Sequence, residues 1–413
     1  MLVRNTRKLL RGSVIGSVIW AVAAALLLAG CGGGGSSGPG SSGSGPSNSG
    51  NGHDTGGGTP DTTPLATARF AYVANFGVGT AANNTLSRFE VDPTTGQLAS
   101  SGADVMVGTA PVSVAIDPAG KFVYVANQDS NDVSAFSIDA KTGALTELPG
   151  SPFPADGAGP FNITVDPSGR FVYVANRGFS TVSAFTIKAT GELSAIAGSP
   201  FAVGPNPACV TVHPSGKFLY VANQNGSNLS ASKIDTVAVL AIDPDTGALA
   251  PIPGSPFSAG ASPTSITIDP SGKFAYVANI LSNNVSAFTI DASGALTPVA
   301  GSPFAGFLSP AAVTVDPSGK FVYVANRDAN NVAAFTIQAS GALAAIPGSP
   351  YQAGIGPFSV TVDSAGKFVY TANQMSNTVS TFRLDATTGA LTQTGAPVPS
   401  GRGPVSLAMT RLP

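Results

Sequence analysis

The chain has 413 residues, of which 10% are charged, and its 20 Lys+Arg nearly balance 22 Asp+Glu, leaving a formal charge of -2. So neutral a chain supplies no field to hold a polyanion, which excludes DNA and RNA as partners. Gly (50) and Pro (33) together make up about a fifth of the residues, the balance of many short strands joined by tight turns, and no long helical pattern continues past residue 30.

Residues 1–31 read as a targeting segment: Arg4, Arg7, Lys8 and Arg11 precede an apolar run from Val18 to Leu28, which ends in Leu28-Ala29-Gly30-Cys31. That ending is similar to a bacterial lipobox, and the resemblance implies cleavage before Cys31 and acylation of its thiol. The membrane is then a partner through a lipid anchor. An ordinary signal peptide or an uncleaved membrane helix is the alternative. Gly32 carries no inner-membrane retention signal, which favours the outer membrane or the cell surface. Residues 32–67 are rich in Gly, Ser, Pro and Thr without apolar periodicity, and so read as a disordered tether. As a flexible coil it would span roughly 33 Å.

From Ala68 onward the chain repeats. Tyr-Val-Ala-Asn begins at Tyr72, Tyr124, Tyr173, Tyr220, Tyr276 and Tyr323, and Tyr-Thr-Ala-Asn at Tyr370, with spacings of 52, 49, 47, 56, 47 and 47 residues. That period suits one four-stranded blade of a β-propeller. In the fifth repeat, Thr264 to Asp269 is strand a, Phe274 to Asn279 strand b, Val285 to Asp291 strand c and Ala295 to Val299 strand d. Strands a and b are apolar or small on both faces, as a sheet sandwiched between neighbouring blades requires. Asp269-Pro270-Ser271-Gly272 joins them in a type I turn, repeated at Asp117, Asp166 and Asp316 with variants at His213 and Asp363. The first repeat opens on a b strand, Arg69 to Asn75, and the last residues, Pro404 to Thr410, form an a strand lacking its b. The two complete one blade and close a ring without free edges. Cys209 lies in a strand-like run as a buried, unpaired thiol, and with Cys31 the only other cysteine no disulfide framework exists.

The Tyr-Val-Ala-Asn strand, Asp-Pro-Ser-Gly-Lys turn, Asn-Val-Ser-Ala-Phe-Thr-Ile strand and Gly-Ser-Pro-Phe connector resemble the lactonase-type seven-bladed β-propellers with YVTN-like repeats. The similarity covers Ala68 to Pro413, the whole folded part. It implies an all-β fold of seven antiparallel four-stranded blades, and it points to hydrolysis of a sugar-type lactone.

Function is expected on the face where the d-to-a and b-to-c connections emerge, opposite the Asp-Pro-Ser-Gly turns. The Asn ending each b strand (Asn75, Asn127, Asn176, Asn223, Asn279, Asn326, Asn373) recurs in every blade and reads as a loop brace. The next position varies: Phe76, Gln128, Arg177, Gln224, Ile280, Arg327 and Gln374. Amides and guanidiniums there suit a carboxylate, phosphate or sugar, with Asp129 and Asp328 as counter-charges or general bases. Two residues before the Pro of strand a, only Arg402 is charged. A solvated rim is the alternative. Two b-to-c loops, Phe76 to Thr85 and Gln224 to Thr236 (with Asn225, Ser230 and Lys233), are longer than their siblings and suit recognition of a partner or ligand.

Outside the tether, which holds His53, the one histidine is His213, on the opposite face, so a Ser-His-Asp or Cys-His relay has no base. The lactonase resemblance implies a His-containing segment entering strand a of an early blade, where this chain has Gly159-Pro160-Phe161-Asn162-Ile163. No cofactor and no metal are expected, because no His/Cys cluster or glycine fingerprint occurs. Two functions follow: a monomeric, tethered propeller that binds a protein, glycan or small anion without catalysis, or a hydrolase of sugar-type lactones.

Overall fold

A computed structural model describes residues 69–77, 84–224 and 235–410. The expected signal peptide with Cys31, the tether with His53, and the longer parts of the two extended loops, Asn225, Ser230 and Lys233 among them, lie outside the described residues. All seven sheets have the same plan. Blade 3 shows it: Pro160–Val165, Phe171–Asn176, Thr181–Ile187 and Leu193–Ala195 are strands a to d in antiparallel order.

Strand b is buried along its whole length in four blades, as Phe171–Asn176 is, and in the other three all but its opening Phe is buried, because both of its faces meet neighbouring blades. Strand a is not. In Pro160–Val165 only Pro160 and Ile163 are fully buried and the rest are half-exposed. The expectation of two-sided burial therefore holds for b and fails for a, whose outer edge has no further strand beyond it in the sheet.

Strand d also differs from expectation. In blade 5 it is two pieces, Leu296–Pro298 and Phe304–Ala305, both paired to Asn284–Ile290 at opposite ends. Gly301-Ser302-Pro303 bridges the gap, where strand c would lose a ladder partner. Ser302 Oγ fills it by accepting from Ala287 N at 2.9 Å, and Ser151, Ser199, Ser255 and Ser349 do the same in their blades. The Gly-Ser-Pro-Phe connector is thus part of the sheet, and its serine satisfies a backbone donor that would otherwise be orphaned.

The core lies between blades. Seven apolar clusters among the described residues each join adjacent blades, such as Phe171, Val182 and Ile196 with Val210, Leu219 and Leu240. Each repeat tyrosine crosses the same boundary: its fully buried hydroxyl donates to the carbonyl of a glycine in the c-to-d turn of the next blade, at 2.7–3.0 Å. The set runs round the ring and closes with Tyr370 to Gly96. Those glycines have φ between +66° and +90°, and a Cβ there would meet the preceding blade's Phe ring, as at Gly247 against Phe171 Cδ1 at 2.5 Å. A side chain is excluded on both counts.

Closure takes the expected form. Pro404–Met409 pairs antiparallel with Arg69–Asn75, with Val73 opposite Leu407. Thr410 stands where five other blades have the turn aspartate and blade 4 has His213, and its Oγ1 accepts from Phe70 N at 3.0 Å. Arg69 is 4% exposed and pairs at 2.6 Å with the turn carboxylate Asp363, itself 2% exposed, of the neighbouring blade.

Candidate functional site

Seven copies of one backbone frame hold the rim. The residue before the Pro of strand a (Ala110, Gly159, Asn206, Ser262, Ser309, Gly356 or Gly403) has φ between +45° and +66°. Its carbonyl accepts from the rim residue's N–H at 2.8–3.1 Å in every blade. The strand-b asparagines brace the same corner: Asn176 Nδ2 donates to Thr181 Oγ1 at 3.2 Å and to Ser183 Oγ at 2.7 Å. The rim residues thus share one backbone anchor, and blades differ there in the side chain and, in blades 1 and 4, in the longer loop that follows.

Blades 2 to 4 carry the polar sector. Arg177 Nη2 donates to Gln224 Oε1 at 2.7 Å, and Gln224, 7% exposed, is fixed in turn by donating Nε2 to the Pro263 carbonyl at 3.2 Å. The Arg177 guanidinium stacks over Phe161, 4.8 Å from the ring centroid. Desolvation lowers its pKa from the ordinary value. The neighbouring positions are the smallest pair on the rim, Ala158 and Gly178, and a Cβ on Gly178 would press on Ala158 O at 2.9 Å. Gln128 is half-exposed and Asp129 exposed, and neither side chain has a hydrogen bond among the described residues. Phe161 is missing from the sequence reading of the site. An aromatic ring follows the strand-a proline in blade 7 as well, at Phe358, where other blades have Val112, Ala208 or Thr264, so the residue type alone did not single out Phe161.

Arg327 and Asp328 are consumed by each other. Arg327 Nε donates to Asp328 Oδ1 at 2.9 Å, and Ser309 Oγ donates to Oδ2 at 2.5 Å. Partial desolvation opposes ionisation of Asp328, but the Arg327 and Ser309 hydrogen bonds and the Arg327 charge outweigh it and hold the carboxyl below its ordinary value. This pair lies on blade 6, Gln374 on blade 7, and Arg402 is exposed on the connection into blade 1. The expected single ring of polar groups is therefore one bonded pair, Arg177 with Gln224 on blades 3 and 4, with Gln128 and Asp129 on the adjacent blade and separate groups elsewhere.

In the segment that stands in place of the expected histidine, Asn162 is architectural. Asn162 Nδ2 donates to Ser113 Oγ at 3.2 Å, and its Oδ1 accepts from Val210 N at 2.9 Å, so it ties the a strands of blades 2, 3 and 4 together. Ser113, Ser265 and Ser406 likewise accept from the next blade's strand a. His213 sits in a turn on the far face, with Nδ1 2.7 Å from Ser215 Oγ and Nε2 2.9 Å from Gly272 O. Cys209 is a free, half-buried residue whose thiol is pushed up to about 11 by burial, so it is no nucleophile near neutrality. Among the described residues no group of three or more His, Cys, Asp or Glu is placed to hold a metal ion.

Comparison with known proteins agrees with this frame. The family model described as "Lactonase, 7-bladed beta-propeller" matches residues 65–157, 148–236 and 231–408. A segment of 81 residues is 36% identical to a 6-phosphogluconolactonase of Formosa agariphila, covering 20% of this chain and 22% of that protein. Among solved structures, a candidate 6-phosphogluconolactonase of Bacteroides fragilis superposes with a TM-score of 0.72 at 24% identity, over 85% of this chain and 99% of that one. A periplasmic gluconolactonase of Pseudomonas aeruginosa gives 0.70 at 20% identity, over 84% and 100%. At such identities the likeness to solved structures is one of fold. The family model spans nearly all of the described ring, and the chain belongs to the lactonase family of seven-bladed β-propellers.

Proposed function

We propose that the chain hydrolyses a sugar-type lactone on its loop face, with Arg177 polarising the lactone carbonyl. The observation that carries this reading is the Arg177 site: a desolvated guanidinium, held by Phe161 and Gln224, beside the smallest residues of the rim. Family membership supports the same reaction class.

The chemistry needs little more. Water attacks the lactone carbonyl carbon, charge collects on the carbonyl oxygen, and the bond from that carbon to the ring oxygen breaks as the ring oxygen takes up a proton. Arg177 N–H groups aimed at the developing oxyanion lower that barrier, the more so in a partly water-excluded site. Asp129, exposed on the adjacent blade, accepts the proton from water in this reading; of the two carboxylates read from the sequence as general bases, Asp328 is bound to Arg327.

The purified protein is to be assayed against a panel of aldonolactones by pH-stat titration. Opening above the spontaneous rate, reduced about 10²- to 10³-fold in kcat in Arg177→Ala, is expected from loss of one oxyanion donor. No opening of any lactone, or an Arg177→Ala variant as active as the parent, sinks the proposal. A second reading, binding of a protein, glycan or small anion without turnover, is favoured by the engagement of Asp328 with Arg327 and Ser309, which removes one of the two carboxylates read from the sequence as general bases. Saturable binding of aldonate without lactone turnover separates the two.

A further inference from the structure

The large apolar side chains most exposed among the described residues (Met106, Phe179, Leu281, Leu308, Ile355 and Met375) all lie on the loop face and none on the face of the aspartate turns. Four of them occupy two equivalent rim positions on three successive blades. Leu308 and Ile355 stand two residues before the strand-a proline, at 49% and 55% exposure. Leu281 and Met375 follow the rim residue, at 65% and 59% exposure. The two positions are tied together, since Met375 N donates to the Ile355 carbonyl at 3.1 Å and Leu281 N to that of Ala261 at 3.2 Å. On blades 2 and 3 the same positions hold Thr109 with Asp129 and Ala158 with Gly178.

The mouth is therefore divided. Blades 2 to 4 present Gln128, Arg177 and Gln224 with the exposed Phe179 beside them, while blades 5 to 7 present aliphatic side chains around the half-exposed Gln374 and one ion pair whose charges cancel, Arg327 with Asp328 at 2.9 Å. We propose that the ligand is an amphiphilic lactone: its ring and carbonyl sit at Arg177, and an apolar alkyl or acyl chain extends over Leu281, Leu308, Ile355 and Met375. This rests on the lactonase reading and names its substrate class. Charge sorts the occupant, because a phosphorylated or carboxylated tail would meet no uncompensated cation on blades 5 and 6. Size sorts it as well. Four partly exposed aliphatic side chains offer on the order of 400 Å², the scale of a functional surface patch. One side of a stable protein interface needs about twice that.

The test is a homologous series of γ-lactones with 4-alkyl chains of increasing length, and the matching γ-lactams as unreactive ligands, measured with the full chain. Lactone kcat/KM and lactam affinity are both expected to rise two- to fourfold per methylene. Fourfold corresponds to full burial at about 0.8 kcal/mol per CH₂. In the double variant Ile355→Gln and Met375→Gln the slope flattens for both. The substitutions are at exposed sites, and melting checks that they fold. A flat lactam series in the parent overturns the proposal whether or not any lactone is opened, and so does a slope that persists unchanged in the double variant. A flat series with dimerisation in sedimentation, or with binding to phospholipid vesicles, gives the apolar sector to a second copy or to a lipid surface instead. Turnover of plain aldonolactones with no gain from the chain leaves the lactonase reading standing and rejects this one.

Discussion

Gly247 concentrates the physics of the repeat in one residue. Its φ is +75°, its carbonyl accepts the Tyr173 hydroxyl at 3.0 Å, and Phe171 fills the space where a Cβ would lie. Gly216 has a similar φ of +73° but nothing within 4 Å of its Cβ position. The pair separates backbone preference from packing. Gly216→Ala is expected to cost about 1 kcal/mol, the left-handed penalty for an L-residue. Gly247→Ala adds overpacking against Phe171 and should cost about 2–4 kcal/mol in all. Equal losses in denaturant unfolding would mean that the Tyr-Gly-Phe contact between blades contributes nothing. The tyrosine's burial also raises its hydroxyl pKa well above the ordinary value of 10.0, so the donor stays protonated through the alkaline range.

At the level of elements, the c-to-d turns carry the pH dependence. Asp92, Asp139, Asp243 and Asp385 each accept backbone N–H groups of their own turn, foremost from a threonine three residues on. Asp291 is held chiefly by the Ser293 hydroxyl. All five pKa values are lowered from 3.8 by these bonds. A depressed folded-state value contributes stability that is complete above the unfolded value and disappears as pH falls through the folded one. The melting temperature is therefore expected to hold steady down to about the ordinary carboxyl range and to fall below it. Asp243→Asn should lessen that acid fall. A melting temperature independent of pH below that range would contradict the assignment.

Over the whole molecule, closure rests on strand pairing, the Tyr370–Gly96 bond and the buried Arg69–Asp363 pair. The pair is asymmetric. Asp166 and Asp316 are equally buried with no cation, satisfied by the backbone N–H groups of their own turns, and Asp363 accepts two such bonds as well. Arg69 has no such alternative, and its Nε already lacks a partner. Asp363→Asn, which strands the guanidinium, should cost about 3–5 kcal/mol. Arg69→Met should cost much less, and the reverse order in unfolding experiments would refute this account of the seam.

The ring was legible because its determinants are local and repeated: the Tyr-Val-Ala-Asn strand, the Asp-capped turn and the half-blades at either end of the repeat region. The split d strand was not, since the role of Ser302 appears only once its partner Ala287 is placed beside it. Rim candidates were legible as variable positions in a constant frame. Their grouping was not, because Arg177 finds Gln224 across a blade boundary 47 residues away, while Arg327 spends its charge on its own neighbour.

The most direct test of the functional account is a crystal structure with a γ-lactam bound. It should show the lactam carbonyl oxygen within hydrogen-bonding distance of the Arg177 guanidinium, on the sector bounded by Gln128 and Gln224. A lactam seated at the aspartate turns, or at the Arg327–Asp328 pair with Arg177 untouched, would contradict it.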